Sequence, residues 1–365
     1  MGCCKSVPVE YVELTEKCTA AGVQFEEDRI QLEGIIGKRN IVSWKPDPTV
    51  SKSPKAIVMI AHGLNEHSLR YYGIGLALVK LDFAVYSMDH MSHGLSEGRR
   101  GVITDHCRLY QDFIVFGRYI KDKHPTLPLF LLCHSMGTLV SLMSINEIQD
   151  IQAVVFSGCA LFGGPGATSP FGCRCLYPLS QTSAAACVTS ITSVLDPGGP
   201  AAPLVPAELT SNAEELDTNT KDPRMSAPIV ANKSAYELVK LIAKAKEEIP
   251  NITVPFVCMH GSLDTVTLPQ GSEHMYRHSG TDITRKSLHI IDSARHEPFH
   301  ESEPIRSEAI AFAANYFESQ YQQVKPPQGF DTTTTTTTTT TNTTPTNLTP
   351  NPIVVADDAE SSLLQ

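Results

Sequence analysis

Leu127-Pro128-Leu129-Phe130-Leu131-Leu132-Cys133-His134-Ser135-Met136-Gly137 decides the fold of this chain. The apolar run Leu129 to Cys133 carries no charge and reads as a buried strand of a parallel sheet. Thr138 to Met143 then continues at helical spacing. Between strand and helix sits Ser135, with Cys133 and Gly137 two residues to either side. A serine on so sharp a turn needs small neighbours at those positions, because strand and helix cross there with little room. The turn strains the backbone and pushes the hydroxyl out at the top of the sheet. The first amides of the helix then point at whatever that hydroxyl attacks. This is a nucleophile elbow with cysteine in place of its usual first glycine.

Working outward, apolar strands alternate with helical segments. Residues 22–46 read as a hairpin punctuated by Gly34 and Gly37, whose second strand, Asn40 to Trp44, ends at Pro46. Strands follow at Ala56 to Ala61, Phe83 to Met88 and Ala153 to Gly158, then at Val254 to Gly261 and Ser287 to Ile291. Helices are expected up to about Leu81, from Thr104 to Lys123, from Ser234 to Glu248 and from Pro304 to Ser319. Such alternation implies a mostly parallel sheet with helices on both faces. From Leu161 the pattern breaks into 161–233, rich in Gly, Pro, Ala, Ser and Thr, with apolar patches at Leu176-Tyr177 and Val188 to Leu195. We read it as an inserted cap of small helices over the sheet edge, since so long a loop with its own apolar patches is usually functional. The organisation expected is therefore an N-terminal segment 1–21, a core in two parts (22–160 and 234–321) around the cap, and a tail 322–365. The tail, with its threonine run Thr332 to Thr341, cannot bury enough apolar surface to fold.

Twenty-nine lysines and arginines against 39 acidic residues leave a net charge of −10, which disfavours nucleic acid as a partner. No apolar run reaches the length of about 18 residues that a membrane-spanning helix needs, and no secretory leader is legible. The ten cysteines show no framework spacing and suggest reduced thiols in a cytosolic compartment. Cys173 and Cys175 form a lone C-x-C without the second half of a zinc site, and no metal is expected. At the N-terminus, Gly2 with Ser6 matches the pattern for myristoylation, and Cys3 and Cys4 are adjacent candidates for palmitoylation. One acyl chain anchors only marginally, and Lys5 alone is no basic patch, so the second anchor would be the cysteines. The expectation is a peripheral, acyl-anchored protein on the cytoplasmic face of a membrane with a cytosolic pool, the cap being a second membrane contact.

An activated serine needs a base within hydrogen-bond reach, and the base needs a carboxylate to fix its tautomer. In this chain order, acid and then histidine should follow at the carboxyl ends of later strands. Asp264 directly follows one apolar strand and His296 the next, so both fall at the edge where Ser135 emerges. His300 is a rival base one step further along, and His260 lies inside a strand run and reads as structural. An oxyanion needs two preorganised donors. The Met136 amide is one, and the Leu64 amide, in the loop after the strand Ala56 to Ala61, is the best candidate for the other. His62, His67, Asp89 and His93 read as residues that hold these loops in shape.

Taken together, His62-Gly63-x-x-Glu66-His67, Asp89-His90-x-x-His93-Gly94-x-Ser96, His134-Ser135-Met136-Gly137, Gly261-Ser262-x-Asp264 and His296-Glu297 resemble the monoglyceride lipase and lysophospholipase family of α/β-hydrolases over roughly residues 40–318. The resemblance implies an α/β-hydrolase fold, hydrolysis of an ester of a single-chain lipid such as a monoacylglycerol, an apolar acyl tunnel under the cap, and no cofactor. Three positions depart from the family. Cys133 replaces the first elbow glycine, and Asn65 and Ser92 stand where glycines are usual; asparagine tolerates left-handed backbone better than most residues. A small-ester carboxylesterase and a lipid-binding pseudoenzyme on the same fold stay open as alternatives. Epoxide hydrolases and dehalogenases are disfavoured because they attack with a carboxylate at the elbow.

Overall fold

The computed structural model describes residues 9–49, 53–164 and 190–325. Gly2, Cys3, Cys4, the Cys173/Cys175 pair, the Leu176-Tyr177 patch and the threonine-rich tail lie outside the described residues. The first element among the described residues is helix α1 (Val9–Ala20), within the N-terminal segment for which the sequence suggested only acylation. Leu14 packs against the core and Cys18 is fully buried. Their spacing of four residues puts them on one helical face, a signal too short to stand out by itself.

The eight-stranded sheet runs in the order β1-β2-β4-β3-β5-β6-β9-β10. An antiparallel hairpin of β1 (Val23–Ile30) and β2 (Arg39–Pro46) forms one edge. The parallel strands are β3 (Ala56–Ala61), β4 (Phe83–Met88), β5 (Leu129–His134), β6 (Ile151–Ser157), β9 (Phe256–Gly261) and β10 (Lys286–Ile291). Every residue of β3, β4, β5 and β9 is buried, which explains their unbroken apolar runs: both faces are covered by helices. Alternate side chains feed two separate cores. Ile57, Met59, Leu129 and Leu131 point to the face covered by α3 (His106–Lys123) and α4 (Met136–Leu142). Val58, Ile60, Phe130 and Leu132 point to the face that holds Trp44, Leu78 of α2 (Tyr72–Val79) and Phe317. The α3 helix starts where Asp105 accepts a hydrogen bond from the Cys107 amide at 2.9 Å.

The cap is more than small helices. Its described part contains an antiparallel pair, β7 (Pro200–Pro203) and β8 (Ile229–Ala231), besides helices Pro206–Leu209 and Ala213–Lys221. Strands this short, one of them proline-bounded, carry too little alternation to be read from sequence. The helix leaving the cap begins at Asn232 rather than Ser234. A helix at Pro269–His278 joins β9 to β10. It was not expected, because its buried residues are Gly271, Ser272 and Met275 and make no apolar stripe. A parallel pair requires such a crossover, and proline at the first helical turn was the available signal. The last helix, Ile305–Val324, runs three residues past the expected boundary at 321.

Register brings the strand ends level. Ala61 lies beside Cys133, His134 beside Ser157, Ser157 beside Met259 and Gly261 beside Ile291. The Ser135 amide donates to the Ser157 carbonyl, Gly158 to Met259 and Ser262 to Ile291, each at 2.9 Å. The segments after β5, β9 and β10 therefore leave from one edge. The turn after β5 is also tightly confined: a Cβ on Gly137 would stand 2.1 Å from the Ala61 carbonyl oxygen. Gly137→Ala should push α4 off β3, lower the free energy of unfolding by roughly 2 kcal/mol or more, and abolish activity in whatever folds. Chemical denaturation with a parallel assay checks this.

Candidate active site

Ser135 sits at φ 50°, ψ −119°, a left-handed conformation that only a forced turn imposes on a serine. It is the half-buried residue of an otherwise buried turn. Its Oγ lies 2.9 Å from His296 Nε2, and His296 Nδ1 lies 2.8 Å from Asp264 Oδ2. With Nδ1 donating to the carboxylate, Nε2 is left as the acceptor for the serine hydroxyl. The three residues named from sequence are thus joined in one chain of hydrogen bonds.

Asp264 is fixed on all sides. Its Oδ1 accepts from the amides of Val266 (2.8 Å) and Thr267 (2.9 Å). Its Oδ2 accepts from Thr267 Oγ1 at 2.9 Å and lies 3.0 Å from His260 Nε2. His260 Nδ1 in turn meets the Ser272 hydroxyl at 2.7 Å. His260, read from the sequence as structural, touches the acid itself, and neither that contact nor Thr267 was legible. The only signal was the spacing of His260, Asp264 and Thr267 around a turn. Burial opposes the charge on Asp264, yet the adjacent His296 and the hydrogen bond from His260 hold its carboxyl well below the ordinary range. Burial also disfavours a charged His296, but the Asp264 carboxylate outweighs it and raises the imidazole above its usual value of 6.5.

His300 and the histidines of the two loops beside the site make contacts of their own. His300 Nε2 lies 3.2 Å from the Arg70 carbonyl and its ring packs edge-on against Tyr71, whereas it is His296 that meets Ser135 Oγ. His62 donates from Nδ1 to the Gly63 carbonyl (2.8 Å) and accepts the His90 amide at Nε2 (2.9 Å). His93 Nδ1 meets the Met91 carbonyl at 2.9 Å. Asp89 accepts from the amides of Ser68 and Leu95 and from Asn40 Nδ2. His67 Nε2 bonds Asp222 of the cap at 2.8 Å.

The loop that offers the Leu64 amide lies against the serine: a Cβ on Gly63 would come within 3.1 Å of Ser135 Cβ. The Gly63 amide donates to Glu66, which also accepts from Tyr71 Oη (2.8 Å) and Arg70 (2.6 Å). Among the described residues the amides of Leu64 and Met136 donate to no protein group, so both are free to meet a developing negative charge. Arg70, like Thr267, is a residue sequence reading missed. Its buried guanidinium bonds Glu66 of this loop, Glu297 beside His296 (2.7 Å) and Glu215 of the cap (2.9 Å). Burial would raise the Glu66 carboxyl, but Arg70 holds it at about 2. The Glu66–Arg70 spacing of four was the available signal.

The three departures are accommodated. Cys133 is fully buried in the core, where burial pushes its thiol up to about 12 and keeps it neutral. Asn65 and Ser92 both adopt φ 65°, the conformation glycine would supply.

A strained serine after β5, a histidine after β10 and an aspartate after β9, on a parallel sheet with an inserted cap, define a serine hydrolase of the α/β-hydrolase fold. Residues 52–303 match the family model described as serine aminopeptidase, S33, and the chain belongs to that family. It is 27% identical to human monoglyceride lipase over 277 residues, spanning 76% of this chain and 85% of the relative. It is 27% identical to a monoacylglycerol lipase of Mycolicibacterium smegmatis over 273 residues, 74% of this chain and 90% of the relative. Among solved structures, a soluble variant of the monoglyceride lipase of Saccharomyces cerevisiae in complex with a substrate analogue superposes with a TM-score of 0.67 at 20% identity, over 81% of this chain and 94% of that one. The monoacylglycerol lipase of Paleococcus ferrophilus gives 0.62 at 22% identity, over 78% and 100%. The chain is a serine carboxylic-ester hydrolase.

Because His296 must be neutral to take the proton and its pKa is raised, kcat/KM should fall as pH drops through a value above 6.5. His296→Ala should lose about 10³-fold or more in kcat, whereas His300→Ala should keep most of it. A pH–rate profile and the two variants check both statements.

Proposed function

We propose that the protein hydrolyses monoacylglycerols and similar single-chain lipid esters, such as lysophospholipids, through an acyl-enzyme. The observation that carries this reading is the continuous chain Ser135–His296–Asp264 beside the two free amides. The Ser135 hydroxyl attacks the ester carbonyl as its proton passes to His296 Nε2. Asp264 steadies the imidazolium, and the amides of Leu64 and Met136 receive the oxyanion. Collapse expels the alcohol, glycerol or a head group, with the proton from His296. Water, deprotonated by the same nitrogen, then attacks the acyl-enzyme and releases the fatty acid. These steps use side chains, backbone amides and water alone.

The lipid substrate is supported by the relatives named monoglyceride lipase. It is also supported by the cap, where Ile191, Val194 and Leu195 stand 56%, 79% and 79% exposed, an apolar face suited to a bilayer surface. No described helix is long and apolar enough to cross a membrane. Stable attachment, in this reading, comes from acylation of Gly2 and of Cys3 or Cys4 on the cytoplasmic face, with the cap touching the bilayer as substrate enters.

Rates on monoacylglycerols of increasing acyl length, set beside p-nitrophenyl acetate, test the substrate. Long-chain monoacylglycerol should be preferred by about tenfold or more in kcat/KM, and Ser135→Ala should lose turnover and fluorophosphonate labelling. Preference for the acetate would favour a small-ester carboxylesterase, and a wild-type protein that neither labels nor turns over would be the lipid-binding pseudoenzyme. Gly2→Ala should move the protein from the membrane to the soluble fraction with its activity on dispersed substrate intact.

A further inference from the structure

Asn65 follows directly on Leu64, and its bonds run to the cap. Its Nδ2 donates to the carbonyls of Ala227 (3.1 Å) and Ile229 (2.7 Å), and its own carbonyl accepts from the Ser226 amide at 2.9 Å. These partners form one short stretch of the cap that leads into β8. Two carbonyl acceptors fix the orientation of the side-chain amide, because turning it over would set Oδ1 against both of them. Asn65 Oδ1 itself has no hydrogen-bond partner, so the side chain serves the cap through its donor end alone.

The backbone makes this choice of residue informative. At φ 65° glycine would be the least strained occupant, yet a buried asparagine stands there. On the other side of Leu64, Gly63 is bound to Glu66 and pressed against Ser135. The Leu64 peptide is thus held at one end by the core and at the other by the cap.

We infer that Asn65 is a positioning residue that ties the Leu64 amide to the inner edge of the cap, so that the oxyanion hole takes its geometry from the seating of the cap. This rests on the proposed role of the Leu64 and Met136 amides. A cap lifted or lowered at residues 226–229 carries Asn65 with it and rotates the peptide whose N–H faces the oxyanion.

Asn65→Gly keeps the left-handed turn and the backbone acceptor for Ser226 but deletes both bonds from Nδ2. Asn65→Asp keeps the size but opposes a carboxylate to two carbonyls. The substrate is p-nitrophenyl acetate, whose acyl group is too short to fill an acyl tunnel. Sites are counted by fluorophosphonate titration, so that rates refer to folded enzyme only. The expected result for Asn65→Gly is a fall in kcat of about tenfold, below the 10²–10³ that removing an oxyanion donor costs, with KM within about twofold. Asn65→Asp should fall further. A trifluoromethyl ketone, which forms a tetrahedral adduct on serine, should bind each variant more weakly by the same factor as kcat falls. An unchanged kcat on the acetate, with losses confined to long-chain esters or to thermal stability, would overturn the inference and leave Asn65 a fastener of the cap. If the wild-type protein itself fails to bind the ketone, the oxyanion assignment falls, and the inference with it.

Discussion

The first turn of α4 crosses the end of β3 at a distance that admits no side chain on Gly137. That contact forces the chain to reverse within one residue, and Ser135 absorbs the reversal at φ 50°. The sheet makes the strain bearable. Strand β5 is hydrogen-bonded on both sides and buried on both faces, and the Ser135 amide is tied to β6. A turn so over-determined can hold a hydroxyl in the open without a side chain of its own to support it. Everything else at the site is measured from this point: the histidine must reach it, the acid must reach the histidine, and the neighbouring loop must lie beside it.

Burial of charge does the rest. Asp264 keeps its charge in a dry setting because two histidines, one hydroxyl and two amides face it. Arg70 keeps its charge because three carboxylates surround it. Removing one member of such a network leaves others buried without compensation, which is far more costly than losing a surface pair. The network also has a mechanical meaning. Through Arg70, the loop beside Ser135, the segment after His296 and the cap helix Ala213–Lys221 share one ion, and His67 with Asp222 adds a second tie to that cap helix.

Much of this is legible in the sequence. The buried strands announce themselves as apolar runs, because a sheet covered on both faces has no polar side to show. The elbow is legible because small residues at fixed offsets from a serine fall here between an apolar strand and a helix. The helix Pro269–His278 was not, since it buries glycine and serine beside one methionine and so has no hydrophobic stripe. Arg70 looks like an ordinary surface arginine in sequence, and only its enclosure by Glu66, Glu215 and Glu297 reveals otherwise.

The sequence by itself determined which segments become strands of the central sheet, where the reactive serine stands and in what order its partners follow, because those depend on patterns a few residues long. Tertiary structure decided which contacts each histidine makes. Position along the chain ranks His296, at the end of its strand, ahead of His300 and of His260 inside a strand, but only the fold shows what each ring meets. His296 meets a serine 161 positions away because β5 and β10 end at one edge and their following segments converge across β6 and β9. His260 is turned to the acid and His300 to the Arg70 carbonyl by the same packing. Asn65 shows the limit most clearly. Its left-handed backbone could be anticipated from its neighbours, but its partners lie 162 and 164 residues along the chain, and only the folded cap brings them within reach.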